Sequence, residues 1–209
     1  MHSLLSQCAG LAHAGVDLLL VREKDLPTGE LVALSRRILA AIRQQGPHTR
    51  VLVASRPDVA LAAQLDGVHL ASHPGELTPE HVRQLYRRAA RPDPIITLSC
   101  HTLDDIRRAR RAKVSAALFA PVFGKTVLGK SLAGEQVTPP AGLEALRAVC
   151  REAAPIPVFA LGGVTWDNAP SCLQAGAAGI AGIRLFLPPS EPRGDAPRSP
   201  SPASTLTRK

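Results

Sequence analysis

Apolar residues along the chain fall into short unbroken runs, separated by longer stretches whose apolar positions recur at helical spacing. The runs are LLLV (18–21), VLVA (51–54), GVHL (67–70), IITLS (95–99), AALFA (116–120), VFAL (158–161) and GIAGI (179–183). Runs this short that are apolar at consecutive positions predict strands buried on both faces. Helices are expected between them over 28–45, 57–64, 79–88, 102–112, 140–153 and 166–175. Thr78-Pro79 and Thr102-Leu103-Asp104-Asp105 carry helix-start signals, a capping hydroxyl followed by an acid in the first turn. Strand and helix alternate about every twenty to thirty residues, which predicts a parallel sheet covered by helices.

An open doubly wound sheet and a closed (β/α)8 TIM barrel both satisfy this alternation. The even repeats, the lack of a G-x-G-x-x-G after any run and the polar residues that follow nearly every run favour the barrel. The chain opens inside a helix (4–14) with no strand before it, and no helix follows the run at 179–183. The expected fold is an α/β TIM barrel, and the family resemblance carried by the motifs described below implies that it lacks its first strand, unless the start lies further upstream, and its last helix. Unpaired edges would remain on the runs at 18–21 and 179–183, lowering stability or calling for a partner that covers the gap. Residues 187–209, crowded with Pro and Ser, are expected to be a disordered tail behind a barrel domain spanning 1–186.

Composition narrows the class further. With 45% hydrophobic, 20% charged and 3% aromatic residues, the 209-residue chain can bury one core. No apolar stretch is long enough for a membrane span and no secretory leader is evident, so a cytoplasmic protein without membrane association is expected. Cys8, Cys100, Cys150 and Cys172 form no C-x-x-C pair and read as reduced thiols. The net charge is +8. Arg83, Arg87, Arg88 and Arg91, with Arg107, Arg108, Arg110, Arg111 and Lys113, lie on two helices that would face outward. With only Tyr86 as an aromatic neighbour they read as a solvated face, and no nucleic-acid partner is expected.

A barrel builds its site from the C-terminal ends of its strands. The residues there are Arg22-Glu23-Lys24, Ser55-Arg56, His69 with His73, Ser99 with His101, a loop over 121–137 containing Lys125 and Lys130, Gly162-Gly163, and Arg184. Such a set is cationic and rich in donors, and suits a phosphorylated ligand. The glycine pair would let backbone N–H groups approach an anion, although double glycines also make ordinary tight turns. The glycine-containing loop with its two lysines has the make-up of a segment closing over a ligand. His69, His73 and His101 lack a nearby carboxylate and are not expected to hold a metal. Cys100 beside His101 reads as a buried structural cysteine, because adjacent strand residues point to opposite faces.

Six segments in order, LVREKDL (20–26), DGVHL (66–70), SCHTLDD (99–105), APVFGKT (120–126), IPVFALGGVTWDNA (156–169) and AGAAGIAGIRLF (175–186), resemble the thiamine phosphate synthase and TenI superfamily. The resemblance implies a (β/α)8 barrel in thiamine biosynthesis or salvage. The synthase branch joins hydroxymethylpyrimidine diphosphate to a thiazole phosphate, with Mg²⁺ helping pyrophosphate depart before the thiazole nitrogen attacks. The TenI branch binds a similar thiazole phosphate, and some members aromatise it by a proton shift. The resemblance assigns Arg22 and Lys24 to the pyrimidine or diphosphate end, Ser99 and Lys130 to the departing pyrophosphate, and Gly162 and Gly163 to the thiazole phosphate. Lys130, Ser99 and His101 are the catalytic candidates. Arg22, Lys24, His69, Lys125, Gly162, Gly163 and Arg184 are the substrate-binding candidates.

The chain departs from that pattern at several points. Ala54-Ser55 stand where the synthase pattern has Asn-Asp, and Ala71-Ser72-His73-Pro74 where it places a second metal-binding Asp. Mg²⁺ is thus expected only if synthase activity is retained, with no other cofactor. Pro121 replaces the proton-transfer His of some TenI members, and Ile183-Arg184 replace small or hydroxyl residues. Retained cations with lost carboxylates favour a TenI-like ligand binder or thiazole tautomerase, with a thiamine phosphate synthase and a non-catalytic phosphate-binding barrel as alternatives. The expected partner is a small phosphorylated heterocycle, and a homodimer is a hypothesis drawn from the family's barrels.

Overall fold

The computed structural model describes residues 2–73, 75–124, 139–183, 185–186 and 204–208. Seven parallel strands curl into a TIM-barrel-like sheet: β1 (Leu18–Val21), β2 (Arg50–Ala54), β3 (Gly67–Leu70), β4 (Ile95–Cys100), β5 (Ala116–Phe119), β6 (Val158–Ala160) and β7 (Gly179–Gly182). Outside them lie α1 (His2–His13), α2 (Thr28–Arg43), α3 (Pro57–Ala63), α4 (Pro79–Arg88), α5 (Leu103–Arg111), α6 (Gly142–Ala153) and α7 (Ala169–Gln174). Each expected strand and helix is present, with ends moved by a few residues. The capping signals act as read: Thr78 and Thr102 each accept the N3 backbone N–H and close a reciprocal capping box.

The barrel is closed by β8 (Ser204–Arg208), which pairs antiparallel with both β7 and β1. This corrects the expectation of a disordered tail for 204–208; residues 187–203 lie outside the described residues. The sequence STLTR is rich in residues that favour extended backbone, and β1 and β7 would otherwise present unpaired N–H and C=O groups. Pairing of Leu206 with both Leu18 and Ala181 satisfies the two edges at once. The gap needs no second molecule to cover it.

Strand alternation divides the core in two. Residues such as Leu19, Val21, Val51, Val53, Val68, Leu70, Ile96 and Phe119 pack outward against the helices in one large cluster. The opposite face of the strands fills the barrel: Ala116, Leu118, Phe159 and Ala181, with Leu18 and Leu161 packed against them, form a separate apolar cluster. The interior also holds a polar side. Register sets His69 on β3 opposite Thr97 on β4, and Thr97 opposite Ala116 on β5.

At the N-terminal ends of β2 and β3, Asp66 ties the sheet to α2. Its carboxylate accepts two hydrogen bonds from Arg43, at 2.7 and 2.8 Å, one from the Val51 backbone N–H at 2.7 Å and one from Arg50 at 3.2 Å. The side chain is only 13% exposed, so these charge-assisted bonds are weakly screened. Asp66→Asn is expected to destabilise the fold by about 2 kcal/mol, read as a lower urea midpoint at unchanged slope.

Candidate functional site

At the C-terminal mouth of the barrel, β1 delivers Arg22 and Lys24, both exposed, directly after its last buried residue, Val21. β3 and β4 deliver a hydrogen-bonded column. His69 Nδ1 lies 2.8 Å from Thr97 Oγ1, and His69 Nε2 lies 2.9 Å from Ser99 Oγ, one layer nearer the mouth. His69 is 9% exposed and Thr97 fully buried, whereas Ser99 is half-buried. Desolvation of the ring first, and the Arg22 charge second, hold the His69 pKa down at about 4, so the imidazole is neutral at physiological pH. Arg22 therefore lies close enough to the column for its charge to be felt there.

The structure brings Arg22, His69 and Ser99 together, and it places His69 beneath Ser99 rather than at the surface. His101 stands apart from that column. It is exposed, its backbone N–H donates to Asp105 at 2.8 Å, and its ring Nδ1–H donates to the Ala120 carbonyl at 2.6 Å, leaving Nε2 as an acceptor in the neutral ring. Lys125, Lys130 and Arg184 lie outside the described residues. Thr97 was not among the sequence candidates; its signal was period two, since it stands two residues before Ser99 and so shares its face.

Gly162 and Gly163 follow β6 with φ of +91° and +65°. A Cβ on Gly162 would stand 2.7 Å from Pro121 Cα, and one on Gly163 would stand 2.6 Å from the Gly124 carbonyl oxygen. Residues 121–124 cross directly over the pair, with the Val122 N–H donating to Leu161 and the Phe123 N–H to Gly162, each at 2.9 Å. The glycines are thus demanded by both backbone conformation and close packing. The helix that follows, α7, has only six residues, so its dipole adds little to an anion site.

The donor set does not fit a divalent ion held by carboxylates. Ala54 and Ser55 follow β2, Ala71 and Ser72 follow β3, and Glu76 is exposed in the loop beyond. Among the described residues no three His, Cys, Asp or Glu side chains stand together as a metal site. Ser55 instead adopts a left-handed backbone and donates its N–H to the His69 carbonyl at 2.8 Å. Arg56 is engaged by Asp58 at 2.6 Å and Thr28 at 2.8 Å.

Cys100 is fully buried and its thiol is pushed up to about 12, mainly by desolvation, which removes it as a nucleophile. The outer arginines are held locally: Arg87 by Glu80 at 2.6 Å, Arg107 by Asp104 at 2.9 Å, Arg108 by Asp105, and Arg83 by the Ala112 and Lys113 carbonyls.

Two outcomes follow from this geometry. A folded-state pKa for His69 below its ordinary 6.5 means the unfolded chain binds the extra proton first as pH falls. Stability is then complete above pH 6.5 and declines as pH falls towards 4, by about 3 kcal/mol at most; denaturant titrations across this window check it, and His69→Gln should flatten that segment. Gly163→Ala should cost about 2 kcal/mol or more, seen as a lowered thermal midpoint, because the new Cβ meets both a strained φ and the 121–124 segment.

The family model described as thiamine monophosphate synthase matches residues 1–186. A thiamine-phosphate synthase of Moorella thermoacetica is 36% identical over 179 residues, 85% of this chain and 78% of its own length. One from Anaeromyxobacter dehalogenans is 34% identical over 194 residues, 93% of this chain and 80% of its own. The solved thiamine phosphate pyrophosphorylase of Pyrococcus furiosus superposes with a TM-score of 0.69 at 26% identity, covering 86% of this chain and 80% of that one. Matched along nearly all of its barrel, the chain belongs to the thiamine monophosphate synthase family.

Proposed function

We propose that this protein acts as a thiamine-phosphate synthase, joining a pyrimidine diphosphate to a thiazole phosphate with release of pyrophosphate. The observation that carries the reading is the neutral His69–Ser99 pair at the barrel mouth under the charge of Arg22. In the reaction the bond from the pyrimidine methylene carbon to the pyrophosphate oxygen breaks, and a bond from that carbon to the thiazole nitrogen forms. Arg22 and Lys24 offset the negative charge of the diphosphate as it departs, and Ser99 supplies a directed hydroxyl. The names of the relatives support this synthase reading over the TenI-like one. Free cysteines support a reducing, cytoplasmic setting, and among the described residues no helix is long and apolar enough to cross a membrane.

One observation favours a second reading. The absence of a carboxylate at Ser55, and of another in the stretch Ala71-Ser72-His73-Pro74, supports a barrel that binds a thiazole phosphate without joining it to a pyrimidine. A proton shift would then fall to His101 or His73, since Pro121 has no titratable group.

Incubating the full chain with both precursors, with and without Mg²⁺, and assaying thiamine phosphate separates the two. The synthase reading expects product, with kcat/KM lowered about 100-fold in Arg22→Ala. Thiazole phosphate bound without product in either condition would instead support the second reading, and no binding of either precursor would refute both.

A further inference from the structure

Thr97 has no part in the reaction as derived so far, and it stands in the barrel interior opposite the apolar Ala116 of β5. Its Oγ1 makes one hydrogen bond among the described residues, to His69 Nδ1 at 2.8 Å. It borders a cavity of about 240 Å³ at the opposite end of the barrel, lined in part by Asp17, His48 and Arg50. Its 0% exposure nevertheless leaves the hydroxyl no contact with solvent there.

We propose that Thr97 is a positioning residue that locks His69 in the tautomer carrying its proton on Nε2, so that Ser99 presents its O–H as a donor towards the anionic group of the ligand.

A neutral imidazole has one N–H and one bare nitrogen. If Nδ1 carried the proton, it would donate to Thr97 Oγ1, and the Thr97 O–H would then have no acceptor among the described residues. If Nδ1 is bare, the Thr97 O–H donates to it and both groups are satisfied. A buried donor without a partner shifts such an equilibrium by roughly tenfold or more. The proton therefore belongs on Nε2, which donates to Ser99 Oγ at 2.9 Å. Ser99 cannot then direct its own O–H at the ring, and the half-buried hydroxyl points its proton to another acceptor. The opposite tautomer would consume that proton and leave Ser99 facing an anion with lone pairs alone. The ring's neutrality, on which this choice depends, follows from its burial beside Arg22.

The direction of the Ser99 hydroxyl towards an anion rests on the functional reading above, while the tautomer itself does not. Nitrogen-15 NMR of histidine-labelled full chain, ligand-free at neutral pH, should show His69 with a protonated Nε2 and a bare, hydrogen-bonded Nδ1. Thr97→Ser should keep those shifts, and Thr97→Val should move both nitrogens towards values averaged between tautomers. Affinity for inorganic pyrophosphate should fall roughly tenfold in Thr97→Val and stay within about twofold of wild type in Thr97→Ser. A wild-type His69 protonated on Nδ1, or a folded Thr97→Val protein with unchanged shifts, would overturn the proposal. If Thr97→Val does not fold, the wild-type and Thr97→Ser spectra decide the tautomer. Wild-type chain that does not bind pyrophosphate would refute the functional reading and the directed Ser99 donor, leaving the tautomer to the spectrum.

Discussion

The interior of a small closed barrel admits one set of side chains per layer, and every strand must contribute to it from alternate positions. In this protein that constraint is met unequally around the axis. Leu18, Ala116, Leu118, Phe159 and Ala181 fill one side with apolar volume. On the other side the β3–β4 register sets His69 against Thr97, so a polar column stands where hydrocarbon would otherwise pack. A one-residue slip of either strand would turn these polar groups towards the helices and a row of Val, Leu and Ile into the barrel. Fold and site are therefore fixed by the same register.

Closure is the second condition. Seven parallel strands leave two edges, and β8 joins them by running antiparallel to both. An antiparallel strand can enter from the bottom or top of a barrel without the crossover helix a parallel one requires. The described part of the tail thus replaces one missing strand of the regular (β/α)8 plan, with the opposite chain direction.

Much of this was legible in the sequence. The apolar runs identify β1 to β7 because parallel strands covered on both faces are predominantly apolar at consecutive positions, with polar residues such as His69 and Thr97 as exceptions. Thr78 and Thr102 announce their helices through capping chemistry that is local. Arg22, Lys24 and Ser99 stand out in the sequence as site candidates because they follow a strand or lie near its C-terminal end. Other features were hidden for physical reasons. β8 lies among Pro and Ser residues, and its stability comes from edges more than twenty residues away in sequence. Thr97 looks like an ordinary strand residue until the register supplies its partner. The glycine pair reads as a phosphate cradle in sequence, yet much of its necessity comes from residues 121–124 passing over it.

On the proposed function, ligand binds at the C-terminal mouth and the lower cavity plays no part. Titrating thiazole phosphate into the nitrogen-15-labelled full chain, and following backbone amide shifts, tests this most directly. The largest shifts are expected on Arg22, Ser99, Gly162 and Gly163. Shifts concentrated instead on Asp17, Arg50 and Ser115, which line the cavity at the other end of the barrel, would contradict it.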